Sequence, residues 1–350
     1  MPRSKIAKGM AGTTGLEPAT SDVTGRRSNQ LNYVPVPFSV VRFFKSTTPE
    51  RRCKIGRVNL QPTIEKLAGG FGFTEGPVWM RGGYLVFSDI PRNTIHKWDP
   101  ASGEVSVFLH PSGYDGPPQP DGSLVGSNGL TLDAEGRLVV CEHANRRVTR
   151  LEGEGSKTVL ASHFEGKRLN SPNDLVHNSK GILYFTDPPY GLLGRDADPE
   201  KELPYNGVFR IVDGRLELLW DKLTKPNGLV FSPDESVLYV GNSDPAAKLW
   251  MRFAMKADGG LGAGDVFYDT TAEAAPGNPD GMKVDVDGNC YFTGPGGIWV
   301  ITPGGKHLAT IGLPEIPANL HWGGEAGDAL YVTARTGLYR VNVEAKGIRP

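Results

Sequence analysis

DGMKVDVDGNCYF, residues 280–292, contains the unit from which the fold can be read. A polar residue followed by Gly opens a short apolar run, MKV. A turn rich in Asp and Gly comes next. A second run, CYF, ends in aromatic residues. Two short runs joined through Asp-Gly form the pattern of a β-hairpin. The same order recurs in EGPVWMRGGYLVF (75–87), NGLTLDAEGRLVV (128–140), NDLVHNSKGILYF (173–185), NGLVFSPDESVLYV (227–240) and NLHWGGEAGDALYV (319–332). The opening residues are Glu75, Asn128, Asn173, Asn227, Asp280 and Asn319, spaced 53, 45, 54, 53 and 39 residues apart. Repeats of this length with several strands each point to propeller blades, not to a helical solenoid. Stretches between the units, such as VSVFL (105–109) and GVFRIVDGRLELLW (207–220), supply further strands. The expected fold is therefore all-β: a six-bladed β-propeller of four-stranded blades around a central channel. A β-sandwich has no reason to repeat its opener six times. The closing strand is left open between NLQPTIEKLA (59–68) and LYRVNV (338–343).

Composition agrees with a turn-rich β chain, with 46 Gly and 28 Pro in 350 residues. A net charge of -1 calls for neither a nucleic-acid nor a membrane partner. The charge is uneven, because residues 1–57 carry eleven Lys/Arg against three Asp/Glu and lack strand or helix periodicity. Residues 1–58 thus read as a basic, disordered N-terminal extension and 59–350 as the propeller. The most apolar N-terminal stretch, VPVPFSVVRFF (34–44), is broken by two prolines and an arginine, so it is a poor secretory signal. That points to the cytoplasm, or to the periplasm if the start is wrongly assigned. Cys53, Cys141 and Cys290 are odd in number and far apart, which suits free thiols better than disulfides or a zinc site.

In a propeller the inner strand of each blade lines the channel, so six openers at strand starts converge near the axis. Two are carboxylates and four are amides, with no Cys or His. Such a ring suits a hard divalent cation, Ca²⁺ or else Mg²⁺ or Mn²⁺. A lone polar opener would be an ordinary turn cap; six at equivalent positions ask for more. Asp285 aligns with Asp133, Asn178 and Ser232 at the start of the turn, and Asp287 with Glu135, Lys180 and Asp234 inside it. Neither is expected to bind a cation. The second strand returns to the opener rim, bringing Asp89, Glu142, His143, Asp187, Asn242, Ser243 and Thr333 there as contact candidates. The Gly/Pro-rich loop 110–126 should lie over the channel.

Read in order, EGPVW, SPNDLV, KPNGLVFSPDE and PDGMKVDVDGN resemble the gluconolactonase/regucalcin (senescence marker protein) family, and SNGLTLDAEGRLVVCEHANRRV and YFTDPPYGL its bacterial gluconolactonase branch. The resemblance spans about residues 60–345. It implies one divalent cation, Ca²⁺ first with Mg²⁺, Mn²⁺ or Zn²⁺ as alternatives, held by Glu75, Asn173, Asn227 and Asp280. It also implies a small-molecule sugar lactone as substrate. Where the regucalcin-type proteins carry an arginine two residues before the second ligand, this chain has Ser171, so Arg146 or His143 is expected to take its place.

Lactone hydrolysis needs an electrophile on the carbonyl and a base for water. Asp280 is the expected base, and Asn128, His143, Arg146 and Asn319 are the expected substrate contacts. A phosphotriesterase-like hydrolase on the same metal centre is the alternative chemistry. A non-catalytic sugar- or protein-binding propeller is the alternative class. GEGSKT (153–158) imitates a phosphate loop but reads as a hairpin turn, and the chain has no Gly-x-Ser-x-Gly elbow.

Overall fold

The computed structural model describes residues 61–348. The expected basic extension 1–58, with Cys53, lies outside the described residues.

Six four-stranded antiparallel sheets follow one another along the chain and close into a ring, a six-bladed β-propeller with no α-helix among the described residues. The innermost strands are Thr74–Trp79, Ser127–Leu132, Leu175–His177, Pro226–Phe231, Met282–Val284 and Pro317–Gly323. Each packs beside the inner strand of the next blade, and the last packs beside the first. In five blades the order from axis to rim is the order of the chain. The sixth blade takes its outermost strand from the start of the domain: Thr63–Gly69 pairs antiparallel with Gly337–Asn342. NLQPTIEKLA thus supplies the closing strand, and LYRVNV is the strand it pairs with.

The core is distributed in six wedges, one between each pair of neighbouring blades. Val78, Val86 and Ile95 of the first blade meet Leu130, Leu138 and Val140 of the second. Tyr291, Ile298 and Val300 of the fifth meet Trp322, Leu330 and Val332 of the sixth. Leu85, Phe87 and Trp98 close the circle against Ala329, Tyr331 and Leu338. Period-2 alternation sends residues of one strand to both faces of its blade, so every blade contributes to two wedges. Cys141 and Cys290 are buried in these wedges as free thiols.

The hairpin turns repeat chemically as well as in shape. Asp285 Oδ1 accepts the N–H groups of Asp287 and Asn289 at 3.0 and 2.8 Å. Asp133 does the same for Glu135 and Arg137, and Asn178 for Lys180 and Ile182. Each is an Asx turn that satisfies its own backbone. GEGSKT forms a short turn around Gly153–Gly155 between two strands of the second blade.

Candidate functional site

The openers sit where the inner strands begin. The residue after an opener packs against the opener of the next blade. A Cβ on Gly76, Gly129, Gly228 or Gly281 would come under 3.0 Å from Asn128, from Asn173, from Asp280 and from Asn319 respectively. Glycine at these four positions is therefore what lets six strand starts crowd together. Second-strand hydroxyls tie neighbours: Ser88 Oγ donates to the Asn128 carbonyl at 2.7 Å, and Thr186 Oγ1 to the Asn227 carbonyl at 2.8 Å.

This crowding frames a cavity of about 390 Å³ at the opener end of the channel. Glu75, Asn128, Asn173, Asn227, Asp280 and His143 all line it. Glu75, Asn173 and Asn227 are almost fully buried. Glu75 Oε2 accepts the Gly76 N–H at 2.8 Å. Burial, then the charge of Asp174, pushes its carboxyl up to about 8, against the pull of Gly76, the Asn319 amide and Lys283. Asp280 keeps part of its surface open to the cavity. Even so, enclosure by protein, followed by the charges of Glu75 and Asp174, holds its carboxyl well above the usual range. The Asn227 side chain and Arg335 oppose that shift. Crowded, desolvated carboxylates hold their protons unless a positive charge joins them.

Asn128 Nδ2 lies 2.8 Å from His143 Nε2. The amide donates, so the proton of the neutral imidazole belongs on Nδ1. Burial and the nearby Arg195 push His143 down to about 3, which keeps it neutral near pH 7.

Two expected contacts are placed elsewhere. Arg146 does not line the cavity; its guanidinium donates to the carbonyls of Leu169 and Glu200 at 2.7 and 2.8 Å. Arg146 adopts a positive φ of 58°. Asn319 lies beneath the cavity, donating to Asp174 Oδ2 at 3.2 Å while its Oδ1 accepts the Leu320 N–H. Most of the second-strand rim candidates are structural as well. Asp89 accepts from Gly72 and Phe73, Asp187 from Asn170 and Ser171, and Asn242 from Lys225, each clasping the segment before an opener. Glu142 is taken up by Arg147, Thr149 and Lys157. Of this group Ser243 and His143 reach the cavity.

The residues missed by sequence reasoning come from connecting segments. Tyr190, hydrogen-bonded with Ser243, lines the wall, and burial raises its phenol to about 12, so it stays a proton donor. Arg195 stacks over Tyr190 at 5.7 Å and Arg335 over Phe73 at 5.6 Å. Both arginines line the cavity, and both hold a positive φ. Lys225 joins them, paired with Asp196. YFTDPPYGL contains Tyr190, but nothing in the repeat marks Arg195. Loop 110–126 reaches the cavity through Leu124. It is anchored by Asn93 Oδ1, which accepts the N–H groups of Ser112, Gly113 and Tyr114.

No group of three or more His, Cys, Asp or Glu side chains with metal-holding geometry occurs among the described residues. Apart from the Asn128–His143 pair, the opener donors at the cavity are the oxygens of two carboxylates and of the Asn173 and Asn227 amides, and the electrostatic strain on the carboxylates is what a divalent cation relieves. The residues present therefore fit such an ion.

Residues 73–336 match the family model described as the SMP-30/Gluconolactonase/LRE-like region. The chain belongs to this family. A gluconolactonase of Zymomonas mobilis is 38% identical over 301 residues, covering 83% of this chain and 84% of that protein. The solved gluconolactonase of Xanthomonas campestris is 31% identical with a TM-score of 0.71, covering 82% of this chain and 91% of the other. A regucalcin from Agrobacterium tumefaciens, described as a calcium-binding protein, shares the fold with a TM-score of 0.65 at 19% identity, over 84% of this chain and 96% of that one. As a member of the SMP-30/gluconolactonase family, this propeller carries its oxygen-rich cavity on the openers from which the family resemblance was read.

Proposed function

We propose that this chain is a divalent-cation-dependent lactonase that opens a sugar lactone to its hydroxy acid. Glu75, Asn173, Asn227 and Asp280 are its cation ligands. The observation that carries the reading is the enclosure of Glu75 and Asp280 with two amides in a cavity of about 390 Å³, a size that suits a monosaccharide lactone. When bound, the cation polarises the lactone carbonyl and offsets the charge that develops on its oxygen. Asp280 accepts the proton of the attacking water, since its carboxyl lines the cavity and is more open to it than that of Glu75. Glu75 is held by the Gly76 N–H in one orientation and acts as a ligand. Tyr190, Arg195 and the Asn128–His143 pair line the walls and meet the sugar hydroxyls. Arg195, together with His143, thus takes the recognition role expected of Arg146 or His143. The all-oxygen donor set favours Ca²⁺, and the likeness to a calcium-binding regucalcin supports that choice.

The test is a panel of sugar lactones and organophosphate triesters, assayed after chelation and after add-back of Ca²⁺, Mg²⁺, Mn²⁺ and Zn²⁺. Lactone turnover lost on chelation and restored by a cation is the expected result. Faster turnover of the phosphate esters would shift the reading to a phosphotriesterase. Binding without turnover would leave a carbohydrate-binding propeller.

A further inference from the structure

The mouth of the opener cavity carries positive charge that has no partner among the described residues. The charged residues lining the cavity are Glu75, Asp280, Arg195, Lys225 and Arg335. On the cation reading above, a divalent ion offsets the two carboxylates. Lys225 is paired with Asp196. The two arginines remain. Both are exposed, and neither guanidinium forms an ion pair or a side-chain hydrogen bond among the described residues. Arg147 of the second blade shows the usual alternative, its guanidinium donating to Glu142 at 2.6 Å. Arg195 lies in the connection between Leu183–Asp187 and Gly207–Val212 of the third blade, and Arg335 in the turn between Ala329–Ala334 and Gly337–Asn342 of the sixth. These blades face each other across the axis, so the two charges stand on opposite walls of one mouth. Each lies over an aromatic ring, Arg195 over Tyr190 at 5.7 Å and Arg335 over Phe73 at 5.6 Å. Stacking holds a guanidinium by its face and leaves the N–H donors at its edge free.

A carboxylate or phosphate matches such a fork, because it accepts two parallel N–H bonds and balances the charge; a sugar hydroxyl does neither. Resting on the lactonase reading above, we propose that the substrate is an acidic sugar lactone, with a carboxylate or phosphate at the chain end remote from the lactone carbonyl. The carbonyl goes down to the openers. The anion stays at the mouth between Arg335 and Arg195, the latter beside the sugar hydroxyls it also meets. Arg195 and Arg335 are specificity residues: they choose among lactones and take no part in bond breaking. Water adds to the carbonyl carbon, the ring C–O bond breaks and a proton of the water passes to the ring oxygen, whether or not the far end is charged.

The experiment measures kcat/KM on the full chain at saturating Ca²⁺ for three lactones of one sugar: the neutral aldonolactone, the lactone with a terminal carboxylate and the lactone with a terminal phosphate. A charged lactone should be preferred over the neutral one about tenfold or more, through KM, as charge-assisted contacts allow. The preference should shrink as salt rises, because both guanidiniums are exposed. Arg335→Gln and Arg195→Gln should each remove most of it, and Arg335→Lys, which keeps the charge without the fork, should keep part. The preference is a ratio within one protein, so loss of folded enzyme does not imitate its loss. Preference for the carboxylate, for the phosphate or for both names the anion, and each supports the proposal. Equal kcat/KM for all three lactones overturns it, as does a preference that neither Gln variant moves. No turnover of any lactone would remove the lactonase reading along with it, which distinguishes the two failures.

Discussion

Gly228→Ala tests whether the packing of the ring and the shape of the site are one property. Gly228 follows the fourth opener. A Cβ there would lie 2.9 Å from the Asp280 carbonyl carbon and 2.9 Å from Gly281 Cα, and closer still to the Asp280 carbonyl oxygen. Ordinary contact begins near 3.4 Å. All three obstacles are backbone atoms of the fifth blade, so no rotamer change relieves the clash. Overpacking of this kind costs about 3 kcal/mol, the upper part of its usual range. At roughly 2–3 °C per kcal/mol for a domain of this size, melting should fall by about 6–9 °C. Gly181→Ala is the control. It lies in open space with a φ of +77°, so it costs only the left-handed strain of about 1 kcal/mol. Melting is followed by thermal denaturation and Ca²⁺ affinity by calorimetry. Both variants should lose stability, but only Gly228→Ala should also weaken Ca²⁺ binding, because the displaced atoms belong to Asp280. Wild-type melting in Gly228→Ala would refute the steric reasoning. Lowered melting with wild-type affinity would refute the link between packing and site.

Asp280→Asn should lower lactone turnover by about a hundredfold or more and abolish cation-dependent stabilisation, while melting in chelator rises because folding no longer has to protonate this enclosed carboxyl. Wild-type turnover in that variant would remove Asp280 from the mechanism. The chelated wild-type protein should lose stability as pH rises from about 5 to about 8. Glu75 gives up its proton near 4.5 when unfolded but only at about 8 when folded, so the folded state binds more protons across this window. Asp187, raised to about 7, adds a slope of the same sign. Saturating Ca²⁺ should remove the Glu75 share and leave that of Asp187, and a slope indifferent to Ca²⁺ would contradict the placement of Glu75. Arg195→Gln should raise KM for a lactone more than it lowers kcat. Arg146→Ala should instead destabilise the fold by about 2 kcal/mol through two lost charge-assisted hydrogen bonds, with KM unchanged. The reverse assignment in steady-state kinetics would restore the sequence-based choice of Arg146.

What was legible in the sequence is what the fold repeats. The openers, the turn residues Asp133, Asn178 and Asp285, and the glycines after four openers each answer a constraint that recurs every blade, so comparing blades separates Asp280 from Asp285 and Asp287. Three things escaped for separate reasons. The closing pair joins Thr63–Gly69 to Gly337–Asn342, a contact with no local trace in either strand. Arg146 stands beside His143 in CEHANRR, but sequence adjacency does not give the direction of a side chain, and its guanidinium goes to the Leu169 and Glu200 carbonyls. Arg195 lies in the long connection between Leu183–Asp187 and Gly207–Val212, which belongs to one blade and has no counterpart to align with.

Closing a ring of six strand starts brings polar groups together whatever their chemistry, and the packing then decides how many can carry charge. Where glycine follows the opener, in the first, second, fourth and fifth blades, the neighbouring blade fills the space and no side chain can enter. The two exceptions, Asp174 and Leu320, stand in the third and sixth blades, which face each other across the axis. Releasing glycine at facing positions admits one more carboxylate to the channel without crowding two neighbours at once. Asn319 of the sixth blade reaches across to it. The six-fold repeat thus becomes a directional channel: Glu75 and Asp280 face the upper cavity, Asp174 lies beneath them, and Lys283 borders a second cavity at the far end of the channel. Acidic groups at two levels of one channel are an arrangement that repetition alone would not produce. It requires departures from the repeat at Glu75 and Asp174, both of which act on Asp280.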